Sequence, residues 1–296
     1  MSLLAACSGG NVVGPSATTI RASTLDADTS GLVAPDKCAK AKIYVADYLK
    51  SDVEVYSQGG TSPTPCRKIT AGVSNPEGIY VDAKGTLYVA NYIGNTITEY
   101  PHGGKTPAMT ITPSAPAYDV FVGVDRTLYA AEPAMNQVAE YPPGAPTPSL
   151  TLAINGGAYG VATDKQNNLY VSYLSNSDGV SHVEEFAPGA TTGTDLALTV
   201  SFAGELKLDK HNDVIIGDRN NDVIDIFPPG ATTPSRTIPI AGKPVYFCLD
   251  QTETQLYVSS QNQVQVFNYQ SGAQVASITS GIQVPSGVAA RKPAPY

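Results

Sequence analysis

Residues able to do chemistry recur in this chain at fixed places in a repeated phrase. Three positions after Tyr44, Tyr88, Tyr129, Tyr170, Ile215 and Tyr257 stand Asp47, Asn91, Glu132, Tyr173, Asp218 and Ser260. Shortly before each phrase stand the pairs Glu77-Gly78, Tyr118-Asp119, Tyr159-Gly160, Gly204-Glu205 and Val245-Tyr246, and Ser286-Gly287 follows near the C-terminus. Two repeat positions thus supply Asp47, Glu77, Asp119, Glu132, Glu205 and Asp218, interleaved with Tyr118, Tyr159, Tyr173 and Tyr246. Hard carboxylate oxygens around one opening suit Ca²⁺ or Mg²⁺, with Glu77, Asp119 and Glu205 as the expected ligands. An acidic, tyrosine-lined mouth also suits a cationic small molecule, a carbohydrate or a protein side chain. The competing reading is structural: the same acids could simply cap turns, as Asp218, Asn220 and Asp222 would.

Other reactive constellations are missing. No G-x-S-x-G elbow occurs. His102, His182 and His211 fall away from the acidic positions, so a histidine base or metal site there is not expected. Asp26-Ala27-Asp28-Thr29-Ser30-Gly31 begins like a calcium loop, but Lys37 stands where the closing Glu belongs. No cysteine pair has C-x-x-C spacing.

The elements that must position the acids follow from the repeat. The phrases Ile43-Tyr44-Val45, Leu87-Tyr88-Val89, Leu128-Tyr129-Ala130, Leu169-Tyr170-Val171, Val214-Ile215-Ile216 and Leu256-Tyr257-Val258 are spaced by 41 to 45 residues. A second aromatic follows each one: Tyr56, Tyr100, Tyr141, Phe186, Phe227 and Phe267. Turns such as Pro142-Pro143-Gly144 and Pro228-Pro229-Gly230 come next, then a short Thr-rich strand. An apolar strand such as Gly78-Ile79-Tyr80-Val81 precedes each phrase. Four short strands per unit and six units predict an all-β, six-bladed propeller over residues 38–291. The segment Pro285-Ser286-Gly287-Val288-Ala289-Ala290 matches a first strand and should complete the blade begun at the N-terminus. Closure removes the open sheet edge, and a monomer is expected. In each blade the start of the first strand and the end of the second share one face, which places the acidic positions around one mouth.

Pro76-Glu77-Gly78-Ile79-Tyr80-Val81-Asp82, Gly85-Thr86-Leu87-Tyr88-Val89-Ala90-Asn91 and Asn95-Thr96-Ile97 resemble NHL-type propeller repeats and the related YVTN-type and gluconolactonase-like propellers. That resemblance implies a binding module or, as the alternative, a hydrolase or lyase with a divalent metal in the central channel. In the gluconolactonase-like pattern the ion is held by a Glu, an Asn and an Asp, for which Glu77, Asn91 and Asp119 or Asp218 would stand here.

Leu4-Ala5-Ala6-Cys7 resembles the end of a bacterial lipoprotein signal peptide, with Cys7 the lipidated residue. Only Met1, Ser2 and Leu3 precede the box, so residues 1–7 read as a truncated signal, and the chain as given should remain soluble. A Ser/Thr/Gly-rich stretch over 8–37 reads as a flexible tether, and 292–296 as a short tail. The expected location is the bacterial cell envelope, outer membrane or periplasm-facing, with the lipid as the sole membrane contact. An oxidising compartment permits a disulfide, and Cys38 with Cys66 could pin tether to fold, while Cys248 sits in an apolar run. Across 296 residues the net charge is −8, which argues against nucleic acid as a partner, since phosphate binding needs clustered cations.

Overall fold

The structure, a computed structural model, describes Cys38 and residues 41–291. Cys7, the tether and the tail lie outside the described residues. Among the described residues no helix is long and apolar enough to cross a membrane.

Six four-stranded antiparallel sheets make a six-bladed β-propeller. Blade 1 takes β1 (Lys42–Asp47), β2 (Asp52–Ser57) and β3 (Arg67–Ile69); blades 2 to 6 follow as β4–β7 (76–111), β8–β11 (119–153), β12–β15 (156–195), β16–β19 (203–239) and β20–β23 (246–278). The last strand, β24 (Pro285–Arg291), becomes the innermost strand of blade 1, pairing Lys42 with Arg291 and Tyr44 with Ala289. The ring therefore closes by joining the two ends of the described chain, as the repeat predicts.

The repeated phrase forms the second strand of every blade because it is buried on both sides. Lys42–Asp47 and Leu87–Asn91 are buried throughout, whereas the outer strands Arg67–Ile69 and Met109–Ile111 bury only their last residue. A near-continuous apolar run is what a strand covered on both faces requires. The covering comes from neighbouring blades. Tyr44, Val55 and Ile69 of blade 1 pack with Ile79, Leu87, Val89 and Tyr100 of blade 2, and Phe247, Leu256 and Phe267 of blade 6 pack with Ile215, Ile226 and Ile238 of blade 5. The core is thus a set of wedges between blades, and removal of one large wedge residue would cost about 2–5 kcal/mol.

The proline turns behave as their sequence demands. Gly103, Gly144, Gly189 and Gly230 all have φ between 72° and 78°, and the amide of the residue after each donates back to residue 101, 142, 187 or 228. That is the type II arrangement, with glycine at the position of positive φ.

Candidate functional site

At the start of the first strand, four blades depart from regular pairing. The register shifts between Pro76 and Ile79, between Ala158 and Gly160, between Ala203 and Leu206, and in β1 between Val45 and Asp47, opposite β24. An irregularity of this kind re-aims side chains at a strand end, and the residues concerned include Glu77, Tyr159 and Glu205. Small residues let the innermost strands crowd the axis. A Cβ on Gly160 would lie 2.7 Å from the Leu206 amide nitrogen, and one on Gly287 would lie 2.4 Å from the Glu77 carbonyl oxygen. At this level the six blades supply Gly287, Gly78, Asp119, Gly160, Glu205 and Tyr246, so three side chains fill the axis where three glycines make room.

The expected ring of acids is divided among three places. Glu77, Tyr118, Tyr159, Glu205 and Tyr246 do converge, lining a recess of about 190 Å³ together with Arg219. Four rings form an arc around it: Tyr92 on Tyr118 at 5.2 Å, Tyr118 on Tyr159 at 5.7 Å and Tyr159 on Phe202 at 5.3 Å. The Arg219 guanidinium stands over Phe202 at 5.7 Å. The Tyr246 hydroxyl donates to the Tyr118 carbonyl at 2.7 Å. Burial raises the Glu77 carboxyl to about 7, against the opposing pull of Tyr246 and Arg219. Burial likewise raises the Tyr118 phenol to about 12.

The second-strand residues do not face this recess, which corrects the expectation for Asp47, Asn91, Glu132, Tyr173 and Asp218. Asp218 accepts from the amides of Ser201 at 2.8 Å, Phe202 at 3.1 Å and Asn220 at 3.1 Å. Asn91 accepts from Ser74 N at 2.9 Å, Glu132 from Ala115 N at 3.2 Å, and Asp47 from the amides of Gln283 and Val284. Each side chain staples the connection that enters the first strand of its own blade, satisfying amides that would otherwise be buried without partners. The Tyr173 hydroxyl donates to Glu184 at 2.6 Å and its ring stacks on His182. Asp47, Asn91, Glu132 and Asp218 thus each spend acceptor oxygens on backbone amides.

Asp119 lies below the recess in a buried ionic group whose cation the repeat alignment missed. Lys207 Nζ is 2.5 Å from Glu205 Oε1 and 3.4 Å from Asp119 Oδ2. Asp119 also accepts from Val161 N at 3.1 Å, and Glu205 from Phe247 N, so each carboxylate ties its blade to the next. Burial raises both carboxyls, helped for Glu205 by repulsion from Asp119. Burial alone would lower the Lys207 ammonium, but Asp119 and Glu205 outweigh it and hold the lysine charged. Glu205 and Lys207 stand two apart on one strand and so share a face; reading along β16 (Ala203–Leu208) would have found the lysine. Tyr92, Phe202 and Arg219 each adjoin an aligned position by one or two residues, which is why the alignment passed over them.

This arrangement does not fit a divalent ion. An ammonium stands between Asp119 and Glu205, where a cation bound by Glu77, Asp119 and Glu205 would sit. Asn91 and Asp218, the other expected ligands, are committed to loop amides. Among the described residues no group of three or more His, Cys, Asp or Glu side chains is placed to hold a metal. Elsewhere Cys38 and Cys66 are joined, with Cα atoms 5.3 Å apart, and Cys248 is free and buried.

No model of a known protein family matches the chain, and no curated protein sequence matches it. Solved structures do match in fold. A chain of the nidogen/laminin complex superposes with TM-score 0.69 at 15% identity over 84% of this chain and 98% of that one. A protein of unknown function from Bacteroides caccae gives 0.66 at 10% identity, covering 85% and 99%. A streptogramin B lyase gives 0.52 at 14% identity, covering 81% and 74%. At these identities the likeness is one of fold: this is an all-β, six-bladed propeller.

Proposed function

We propose that this chain is an envelope-anchored binding module that docks a protein partner on the face bearing the recess, the recess receiving one side chain of that partner. The observation that carries the reading is the placement of exposed apolar residues. Among the described residues seven large hydrophobic side chains are exposed: Leu49, Ile93, Val124, Met135, Val180, Val275 and Val284. Leu49, Ile93, Met135 and Val180 occupy the connections between second and third strands of blades 1 to 4, and Val284 leads into β24, so these five share the recess face. The equivalent connections of blades 5 and 6 carry Asn220, Asn221, Gln261 and Asn262. Exposed apolar residues gathered mainly on one face are characteristic of protein docking, and the aromatic arc supplies the kind of residue that dominates interface energies. A chain of similar fold in a nidogen/laminin complex is consistent with this use. A metal-dependent hydrolase or lyase is disfavoured by Lys207.

The test is site-specific photo-crosslinking in a cell-envelope extract, with benzoylphenylalanine at position 93 or 135 and, as the opposite-face control, at position 124. A discrete adduct from 93 and 135, absent from 124 and displaced by unlabelled protein, supports the reading. Equal labelling from both faces, or labelling that unlabelled protein does not displace, would overturn it. Anchoring through Cys7 is part of the proposal: behind a complete signal peptide the chain should incorporate labelled palmitate, and Cys7→Ser should not.

A further inference from the structure

The opposite end of the propeller axis holds a larger cavity, about 440 Å³, built from the turns between first and second strands of blades 2 to 6. Its apolar floor is made by Tyr80 and Phe121, whose ring centroids are 4.5 Å apart. Lys207 lies at the inner end, 6.0 Å from the Phe121 centroid, so the buried ionic group separates this cavity from the recess on the other face. Val124, 64% exposed, stands at the rim.

Acids and cations both line the cavity, but their commitments differ. Asp82 accepts from Thr86 N at 2.8 Å, Asp164 from Gln166 N and Asn168 N at 2.8 Å, and Asp209 from His211 N at 2.8 Å. These carboxylates hold their own turns. Glu253 is taken by Lys210, through the backbone amide at 2.6 Å and the ammonium at 3.6 Å. Arg126 is drawn to Tyr88 and Glu99. Lys84 and Lys165 remain at the rim, exposed and in no ion pair with a described residue.

We propose that this cavity is a second ligand site, distinct from the protein-docking face, for a small organic anion with an aromatic body, such as an arene carboxylate or sulfonate. The ring system would lie on Tyr80 and Phe121 and the anionic group would be drawn toward Lys84 and Lys165. Pockets of this size with an apolar lining and few convergent polar groups are the usual form of small-molecule sites.

The test is calorimetric titration of the full chain with 1-naphthoate and, for comparison, uncharged 2-naphthalenemethanol. Saturable one-to-one binding of naphthoate is expected, about tenfold weaker in a Lys84→Glu/Lys165→Glu double variant and unchanged in Val275→Ser on the outer strand of blade 6. Both lysines are exposed, so the double variant should melt like the parent. Because the chain has no tryptophan, Val124→Trp places a single indole at the rim, and its emission should change over the same concentration range. Absence of saturable binding, equal affinity for the uncharged analogue, indifference to the double charge reversal, or an unresponsive indole emission in the Val124→Trp variant would each overturn the proposal.

Discussion

The ammonium of Lys207 lies 2.5 Å from the Glu205 carboxylate, two residues away on the same innermost strand, and this contact closes the propeller axis. The pair, with Asp119 as third member, separates the two cavities and stands where a divalent ion would otherwise be sought. Lys207→Met would leave two carboxylates facing each other away from water, and the expected loss is about 3–5 kcal/mol at neutral pH. Burial already raises both carboxyls, so they should take up protons readily in the variant and the loss should shrink toward pH 4. Adding Asp119→Asn and Glu205→Gln to the lysine variant should recover most of the stability. Urea unfolding at pH 4.5 and 8 measures all three effects.

Glu77 gives a pH signature of opposite practical use. Its carboxyl is raised in the folded protein to about 7, chiefly by burial. A carboxyl raised on folding contributes stability at low pH that is lost as pH climbs through the folded value. Glu77→Gln should therefore stabilise the protein relative to the parent at pH 8 and leave it nearly unchanged at pH 4. Melting curves across that range should show the difference developing between about pH 4.5 and 7. A difference independent of pH would contradict the placement of this carboxyl.

Asp218→Ala removes the acceptor for the amides of Ser201, Phe202 and Asn220. Leaving buried donors unpaired should cost about 2–3 kcal/mol, read as a lower urea midpoint. Asp218→Asn, which keeps one acceptor oxygen, should fall between parent and alanine variant.

Reduction, or Cys38→Ser with Cys66→Ser, should lower stability by about 3–4 kcal/mol, because the bridge closes a loop of sequence separation 28 and so restricts the unfolded chain. The check is the melting temperature with and without reductant. With Cys7 also replaced by Ser, the reductant should have no effect on the double variant, since Cys248 is buried and unpaired.

The repeat itself determined the architecture. The Leu-Tyr-Val phrase, the aromatic after it and the Pro-Gly turn each state a local requirement, respectively burial on both faces, packing between blades and positive φ, and those requirements recur from blade to blade. Closure through residues 285–291 was legible for the same reason. Which polar side chains face the axis was not, because the aligned positions Asp47, Asn91, Glu132 and Asp218 look like a functional ring when only type and spacing are known. Their direction is decided by unpaired amides in the connections 16 or 17 residues earlier in blades 2, 3 and 5 and at the far end of the chain in blade 1. Glu77 and Glu205 reach the axis because the strand register shifts beside them and because Gly160 and Gly287 let neighbouring backbones close in. Lys207 was visible as a residue, but its pairing with Asp119 joins blades 3 and 5, and only the closed ring brings that second carboxylate to the ammonium.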